Sequence, residues 1–438
     1  MKTIGPLATI PAIDARAEPS GEEPLKTDPT GRYFVSYRRS RAGEIERLVP
    51  LLHEHGIPTW QDKRNLAAEP TVEAIQKSLD CPSTAGAILW LSTDVAKSDI
   101  IRQEEAPRIL KRARADTGFA AELCVADGLG YGDVTNVLKL PGSMEDPSKT
   151  WNLHHIEGNP ASDAALLAVT RAALTRRLRA VHSVLNPDAP LHLSLHAHSQ
   201  ARPAFELGRA LIVDWTPHFQ QRHASAAAWD SRLLPALAAI VDAIRTSAPK
   251  RSVLAEGFLS ITSAFALGRA FMEPCGIPIA WNQLPRGEHW SLGQSDSDSG
   301  FTPSLFSQDV GANDLAVLVS IRGDVEPAVT ATVSSLPSFR AILRVQGEKG
   351  HHSHIATPDQ ASRAARLVGN EIRRARGKYP VIRKTHLFYS GPAGIALMIG
   401  QQLNAVGPVQ LYEHQQTSED AVGTYVPSAL LCDMKPCN

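Results

Sequence analysis

The apolar run "AGAILWLS" at residues 85–92 limits the possible folds more than any other segment of the chain. It shows no alternation of apolar and polar residues, so the strand that it predicts must be buried on both faces. Shorter strand-like runs, "YFVSY", "IPTW", "GFAAELCVA" and "WNLHHI", flank it and alternate with segments of helical periodicity. This alternation predicts a parallel sheet with helices on both faces over residues 31–185.

Apolar residues three or four positions apart predict the helices between these strands. They are Ile45, Leu48, Val49 and Leu52 in the first helix, Val72, Ile75 and Leu79 in the second, and Leu174, Leu178, Val181 and Leu185 in the last. Residues 1–30 are rich in Pro, Glu and Thr without a period, which predicts a flexible N-terminal tail. The Pro-rich "NPDAP" at 186–190 is the predicted boundary to a second α/β region, residues 188–438.

The composition of the 438-residue chain argues against several kinds of protein. Its 45 Lys and Arg residues balance 45 Asp and Glu residues, which disfavours a binder of duplex nucleic acid or of anionic membranes. The five cysteines form no CxxC pair, and the histidines of "LHLSLHAH" and "GEKGHHSH" lack the spacing of a zinc protease. No apolar run reaches the roughly 18 residues of a spanning helix. A cytoplasmic protein without a bound metal is therefore predicted.

The second region contains two similar segments, residues 253–282 and 385–414. Each has an apolar strand, a turn of small residues, a helix with a central glycine, and a second strand with an aromatic residue near its end. The glycines are Gly268 and Gly400, and the aromatic residues are Trp281 and Tyr412. The similarity predicts duplication of one βαβ unit. The alternative, that any two βαβ units share such features, remains open.

The turns "FLSITS" and "FYSGPAG" of these segments combine small residues, hydroxyl groups and the amides of a helix start, which together bind phosphate. A neighbouring lysine and the aromatic residues could add contacts to phosphates and bases. The candidate nucleotide-binding residues are Ser260, Thr262, Trp281, Lys384, Ser390, Gly391 and Tyr412. Core packing of the aromatic residues and a solvated strand entrance for the lysine are equally compatible with the sequence.

In the first region, the segment after "AGAILWLS" is predicted to be a helix that starts at the capping residues Ser98 and Asp99. Pro107 donates no hydrogen bond and its ring disturbs the carbonyl of Gln103, so a kink is expected beside Glu104. A kink at this point would direct the Glu104 carboxylate toward the cleft at the edge of the sheet.

A carboxylate at this edge could hold ribose hydroxyls or stabilise an oxocarbenium-like transition state while a glycosidic bond breaks. The alternative is a solvated helix glutamate paired with Arg102 or Arg108. Glu105 is the weaker candidate, because one step along an α-helix turns a side chain by about 100°.

Four segments, "YFVSYRRS", "GIPTWQD", "AILWLS" and "SDIIRQE", resemble the TIR domain in order and spacing over residues 31–185. The resemblance implies a flavodoxin-like fold and cleavage of the nicotinamide glycosidic bond of NAD, with Glu104 as the catalytic residue. It also implies NAD-binding roles for Tyr37, Arg38, Trp60, Asp62 and Ser98. Trp60 and Asp62 open the loop through which self-assembling TIR domains contact a neighbour, although the glycine usual in that loop is absent.

The second region resembles the SAVED domain, a fusion of two CARF-like Rossmann-type units, over residues 188–438. The duplicated segments, "IVDWTPHFQQR" and the terminal "VQLYEH…YVPS" carry the resemblance. It implies a sensor of a cyclic oligoadenylate-type second messenger in bacterial anti-phage (CBASS-type) immunity. Together the two resemblances imply a TIR-SAVED fusion effector.

Two functions are therefore expected from the sequence. In the first, a cyclic oligonucleotide drives head-to-tail association into oligomers or filaments, and NAD is then cleaved as substrate, with no cofactor required. In the alternative, the chain is a non-catalytic sensor and scaffold that recruits other TIR proteins. Within the enzymatic hypothesis, the product could be ADP-ribose or a cyclised form.

Overall fold

The computed structural model describes residues 26–60, 71–140, 147–197, 205–283, 287–293, 300–347, 355, 357–416 and 422–432. These residues contain three β-sheets, each covered by helices. The first sheet lies in the N-terminal region, and the other two lie in the C-terminal region. The C-terminal sheets and their helices are called the first unit and the second unit below.

The N-terminal sheet has five parallel strands in the order β2-β1-β3-β4-β5. The predicted parallel sheet is confirmed, and its central strand β3 is buried along its whole length. The fifth strand is shorter than "WNLHHI" predicts, with only two paired residues. The strands are β1 (Arg32–Ser36), β2 (Thr59–Trp60), β3 (Thr84–Leu91), β4 (Ala120–Val125) and β5 (His154–His155).

Six helices accompany this sheet in the described residues: α1 (Ala42–Glu54), α2 (Thr71–Asp80), α3 (Ala106–Ala115), α4 (Tyr131–Leu138), α5 (Pro147–Thr150) and α6 (Asp163–Val184). Apolar residues of α1 and α6 pack on one face of the sheet, and those of α2, α3 and α4 pack on the other. The strand order reverses between β1 and β3. In open α/β sheets, ligands bind beyond the carboxyl ends of the strands at such a switch point.

The end of the predicted N-terminal tail is packed into the protein. Thr27 and Thr30 are buried, although they fall in the predicted tail; residues 1–25 lie outside the described part. The reason is visible at Arg177 of α6, which is fully buried and donates to the carbonyls of Thr30, Gly31 and Ala210, each at 2.7 Å. Burial lowers the pKa of this guanidinium to about 10. Arg177 thus ties Thr30 and Gly31 to the C-terminal region.

The first unit is a five-stranded sheet in the order β10-β9-β8-β6-β7, in which only β10 is antiparallel to its neighbour. Its strands are β6 (Leu191–His196), β7 (Leu211–Asp214), β8 (Val253–Phe258), β9 (Ile279–Gln283) and β10 (Glu288–Trp290). Its helices are α7 (Ala226–Ala228), α8 (Leu234–Ser247) and α9 (Ile261–Ala270).

The second unit is a six-stranded sheet in the order β11-β13-β12-β14-β15-β16, parallel except at its two edge strands. Its strands are β11 (Phe301–Ser307), β12 (Asp314–Ser320), β13 (Ala341–Gly347), β14 (Lys384–Ser390), β15 (Val409–Gln415) and β16 (Thr424–Leu431). Its helices are α10 (Glu326–Thr332), α11 (Pro358–Lys378) and α12 (Ala393–Gln401).

The two similar sequence segments form the units β8–α9–β9 and β14–α12–β15, as predicted, and their helices cross at the central glycines. A Cβ atom on Gly268 would lie 1.9 Å from the carbonyl oxygen of Leu397, and one on Gly400 would lie 2.3 Å from that of Phe265. Only glycine permits this backbone approach. The repeated glycine is therefore the contact point of the two units.

A single apolar core runs through all three sheets, from one face of the N-terminal sheet through α6 and α8 to α9 and α12. The sequence break at 186–190 is thus not a break in packing. Within the described residues, no helix combines the length and the apolar character needed to cross a membrane.

Candidate functional site

The helix after β3 starts where the sequence predicts. Ser98 is buried, and its hydroxyl accepts a hydrogen bond from the backbone N–H of Ile101 at 3.4 Å. The chain then forms a π-helical turn at Ile100–Glu105, closed by the bond from the Ala106 N–H to the Ile101 carbonyl. Pro107 lies in the first turn of α3, directly after the π turn. The irregularity expected beside Glu104 therefore takes the form of a π turn, which contains one residue more than an α-helical turn.

The Glu104 side chain is turned toward α2. Its Oε2 accepts a hydrogen bond from Gln76 Nε2 at 2.8 Å and lies 3.5 Å from Arg108 Nη2. The side chain keeps 30% of its exposure. This arrangement is the solvated ion pair that the sequence left open as the alternative to a catalytic role.

The neighbouring Glu105 takes the position that was expected for Glu104. It is 7% exposed, and its Oε2 accepts a hydrogen bond from the hydroxyl of Ser36, the last residue of β1. This carboxylate therefore lies at the switch point of the sheet. Sequence reasoning ranked Glu105 below Glu104 because it assumed α-helical steps of about 100°, which a π turn does not follow.

The other predicted NAD-binding residues surround this edge, on different sides of it. Trp60 lies on the face of Ser36 and Glu105, where its ring stacks on Phe34 with centroids 5.1 Å apart. Tyr37 follows Ser36 and packs against the core of the opposite face. The Nε atom of Arg38 is enclosed and has no hydrogen-bond partner among the residues that the structure describes. Asp62 lies outside the described residues.

A cleft of about 540 Å³ opens at the carboxyl ends of β12 and β14 in the second unit. Ser390 and Gly391, both predicted from the turn "FYSGPAG", line it, and Ile261 joins them from the equivalent turn of the first unit. Gly323, His414 and Tyr425 also line this cleft. The structure thus brings the two repeated turns together around one cavity, which has the size of a ligand pocket.

The two candidates in the turn of the first unit need correction, because Ser260 caps a helix and the Thr262 side chain is enclosed in the core. The Ser260 hydroxyl accepts a hydrogen bond from the Ser263 N–H at 3.1 Å and caps α9. Thr262 is fully buried, and its N–H donates to Glu413 Oε1 at 2.9 Å. A carboxylate of the second unit therefore already occupies the helix start that was expected to bind phosphate.

Lys384 was predicted to lie beside the turn of the second unit and is in fact at the opposite end of β14. In the sheet, Lys384 lies beside Asp314 at the amino end of β12, whereas Ser390 lies at the carboxyl end of β14. Six residues of extended chain separate it from the cleft by about 20 Å. The lysine therefore cannot contact a ligand held at the turn of its own chain.

Tyr412 and Trp281, predicted as stacking surfaces, are both 6% exposed and belong to the core. The Tyr412 ring stacks on Phe388 with centroids 4.4 Å apart, and its hydroxyl bonds to His386 Nδ1 at 2.7 Å. Burial raises the pKa of Tyr412 to about 12. Trp281 packs beside Gly394, where a Cβ atom would come within 2.6 Å of the indole. The core-packing alternative is correct for both.

The described residues contain no group of three or more His, Cys, Asp or Glu side chains arranged to hold a metal ion. His198, His351, His352 and His354 of the two histidine groups lie outside the described residues.

No curated protein sequence is significantly similar to the chain. Among similar solved structures, the Acinetobacter baumannii Cap4 SAVED/CARF-domain containing receptor with the cyclic trinucleotide 3'3'3'-cAAA has 16% identity and a TM-score of 0.48, covering 84% of this chain and 87% of that chain. The same receptor with 2'3'3'-cAAA has 15% identity and a TM-score of 0.46, covering 84% and 86%. The Moraxella osloensis Cap4 receptor has 13% identity and a TM-score of 0.41, covering 90% and 100%.

One family model matches the chain over residues 234–431, from the start of α8 to the end of β16. Its description is "SMODS-associated and fused to various effectors sensor domain", abbreviated SAVED. The matched range includes the cleft and both glycine-centred helices. Residues 234–431 therefore match a sensor-domain family, and the C-terminal region that contains them is called the sensor region below.

Proposed function

We propose that the chain is a cyclic-oligonucleotide-activated NAD glycohydrolase, with a SAVED sensor region that gates a flavodoxin-like TIR domain. The observation that carries the proposal is the cleft formed by both repeated turns inside the region that matches the SAVED family. A sensor domain fused to effectors needs a ligand site and an effector on the same chain. The cleft is a candidate for the former, and the N-terminal sheet is a candidate for the latter.

The cleft offers chemistry that suits an oligonucleotide. Ser390 and the backbone around Gly391 precede α12, whose first amides have no side-chain cap and can face phosphate oxygens. His414 is exposed and supplies a ring surface at the rim, whereas Tyr425 is buried and forms part of the wall. Asp324 accepts a bond from the Glu326 N–H at 3.0 Å and offers a carboxylate to the amino group of a base. A cyclic oligoadenylate has all three matching groups.

The N-terminal sheet supports the enzymatic half of the proposal. A buried carboxylate lies at the switch point, and Trp60 and Arg38 lie at the same edge of the sheet. In the reaction, the bond between C1' of the ribose and the pyridinium nitrogen of NAD breaks, and its electron pair leaves with neutral nicotinamide. A carboxylate stabilises the cation at C1' until water adds and loses a proton, giving ADP-ribose. Attack by a nucleophile of the substrate would give a cyclised product instead.

Activation is proposed to occur through head-to-tail association. The two units of the sensor region are not identical, so a ligand shared between neighbouring chains gives a heterologous contact that extends into a filament. Nicotinamide release should therefore rise more steeply than linearly with protein concentration. The alternative, a non-catalytic scaffold, is favoured by the Glu104 ion pair, and it predicts ligand binding without nicotinamide release.

Replacing Gly323 with phenylalanine is expected to abolish ligand binding, because the side chain would fill the cleft. A Cβ atom at Gly323 would meet only the Ser390 hydroxyl, at 3.1 Å, so the new side chain starts inside the cavity without touching the core. Gly311→Phe is the matched control, since its loop precedes β12 at the opposite edge and its Cβ would meet only Asp309 at 3.4 Å. Isothermal titration with cyclic di-, tri- and tetranucleotides measures the effect. Equal affinity in both variants would place the ligand elsewhere.

A further inference from the structure

Glu104 and Glu105 are adjacent in sequence, yet the π turn places their carboxylates in different environments. Glu104 contacts the side chains of Gln76 and Arg108 and keeps 30% of its exposure. Glu105 is 7% exposed and contacts Ser36 at the carboxyl end of β1. Only the second carboxylate contacts the carboxyl end of a strand at the switch point, which is where sheets of this topology bind ligands.

The TIR resemblance selects Glu104, the sixth residue after Ser98, and the step of about 100° that ranked Glu105 below it assumes a regular α-helix. The bond from the Ala106 N–H to the Ile101 carbonyl spans five residues, so this turn contains one residue more than an α-helical turn. The insertion moves the seventh residue after Ser98 to the sheet edge and leaves the sixth on the side of the helix. Pro107 follows at once and offers no N–H with which an α-helical bond to the Gln103 carbonyl could form.

We propose that Glu105, and not Glu104, is the catalytic carboxylate of the N-terminal domain, positioned by Ser36. The inference rests on the proposed NAD glycohydrolase function and assigns its reactive group. The Ser36 hydroxyl donates to one carboxylate oxygen and thereby fixes the orientation of the group at the carboxyl end of β1. In the reaction, Glu105 stabilises the positive charge that develops at C1' as the electron pair of the glycosidic bond leaves with nicotinamide, and water completes the substitution.

Two neighbouring groups at the same edge suit the rest of a dinucleotide. Trp60 lies on the same face of the sheet as Ser36, is half-buried, and presents an aromatic surface. Arg38 lies two residues beyond Ser36, and its enclosed Nε atom has no hydrogen-bond partner in the part of the chain that the structure describes. A guanidinium in this state is suited to a diphosphate. Glu104 instead contacts Gln76 and Arg108 beside α2, and the Nε atom of Arg108 is likewise enclosed without a hydrogen-bond partner among the described residues.

The test compares the isosteric variants Glu105→Gln and Glu104→Gln in the full chain, with NAD and each of a cyclic di-, tri- and tetranucleotide. Glu105→Gln is expected to lower kcat for nicotinamide release by at least about 100-fold, whereas Glu104→Gln stays close to wild type. Ser36→Ala is expected to lower kcat with little change in KM. A residue with a merely structural role would not lower kcat while leaving KM unchanged.

Loss of activity in Glu104→Gln with near-normal activity in Glu105→Gln would overturn the assignment. Oligonucleotide affinity and thermal unfolding show whether each variant folds. If Glu105→Gln unfolds, Glu105→Asp is compared with Glu104→Asp. Both variants keep the negative charge and shift the carboxylate by one methylene group. Only Glu105→Asp should then lower kcat, because only it displaces the catalytic group. A wild-type chain that binds the oligonucleotide and releases no nicotinamide would instead overturn the proposed function itself.

Discussion

Replacing Gly268 with alanine is expected to destabilise the sensor region by about 3 kcal/mol, because the added methyl group would overlap a neighbouring backbone. Its Cβ would lie 1.9 Å from the Leu397 carbonyl oxygen and 3.1 Å from the backbone nitrogen of Gln401. Neither atom belongs to a side chain that can rotate away. Relief requires α9 and α12 to separate, which would open the apolar core that they share. Gly400→Ala should behave in the same way, since its Cβ would lie 2.3 Å from the Phe265 carbonyl oxygen.

The matched control is Gly377→Ala near the end of α11, where a Cβ atom would have no neighbour within 4 Å. Alanine has the higher helix propensity, so this variant should be stabilised by about 0.5–1 kcal/mol. Urea unfolding of the three variants beside the wild type measures both effects. Equal midpoints for Gly268→Ala and Gly377→Ala would show that the helices do not cross at their glycines.

Replacing Arg232 with alanine is expected to lower the free energy of unfolding by about 3 kcal/mol. The variant would leave the Glu54 carboxylate buried at the junction of the two regions without its guanidinium partner. Glu54 is 4% exposed, and its oxygens lie 3.0 and 2.9 Å from Nε and Nη2 of Arg232. His218 Nε2 lies 2.9 Å from the same carboxylate. Arg232 belongs to a π-helical turn, Trp229–Leu233, that precedes α8. The pair therefore links α1 of the N-terminal domain to the sensor region.

Arg245→Ala is the control for this prediction, since Arg245 pairs with Asp242 at 2.7 Å while both side chains are about half exposed. Solvent screens such a pair, and its loss should cost less than about 0.5 kcal/mol. Adding Glu54→Gln to Arg232→Ala should restore part of the lost stability, because it removes the unpaired charge. Denaturant midpoints of these variants and of the wild type measure the differences in stability. A cost for Arg232→Ala no larger than that for Arg245→Ala would mean that the junction is not held by this ion pair.

The same π turn also contacts the strand beside the cleft. Trp229 Nε1 donates to the Ser428 hydroxyl of β16 at 3.0 Å, and Tyr425 of that strand lines the cavity. Trp215, which packs edge-on against Trp229, donates to the Glu54 carbonyl at 3.2 Å. The Arg232 variant is therefore a useful one in which to measure ligand binding and nicotinamide release separately.

The sequence was informative wherever one local pattern determines one structure. The unbroken apolar run at 85–92 can only be a strand that is covered on both faces, and β3 is such a strand. The repeated central glycines helped to identify two similar βαβ units, and the structure adds that α9 and α12 cross at these glycines. Ser390 and Gly391 were found as cleft residues because a turn before a helix start lies at the carboxyl edge of a sheet.

The errors arose where the outcome depends on a tertiary partner or on one inserted residue. A spacing rule cannot detect a π turn, so the carboxylate at the switch point was assigned to Glu104 in place of Glu105. Glu413 is 151 residues away from Thr262 in sequence, and no local signal shows that it occupies the start of α9. Lys384 is close to the turn in sequence, because only the seven residues of β14 run from Lys384 to Ser390. These residues form an extended strand, so Lys384 and the turn lie at opposite ends of the sheet.

The rate of nicotinamide release from NAD by the full chain, with and without a bound cyclic oligonucleotide, tests the central claim most directly. The panel should include cyclic di-, tri- and tetranucleotides, and each reaction is run at two protein concentrations and repeated with Gly323→Phe. At least one ligand should raise the rate strongly, with a more than proportional increase at the higher protein concentration and none in Gly323→Phe. A chain that binds a ligand by titration yet releases no nicotinamide at either concentration would contradict the account.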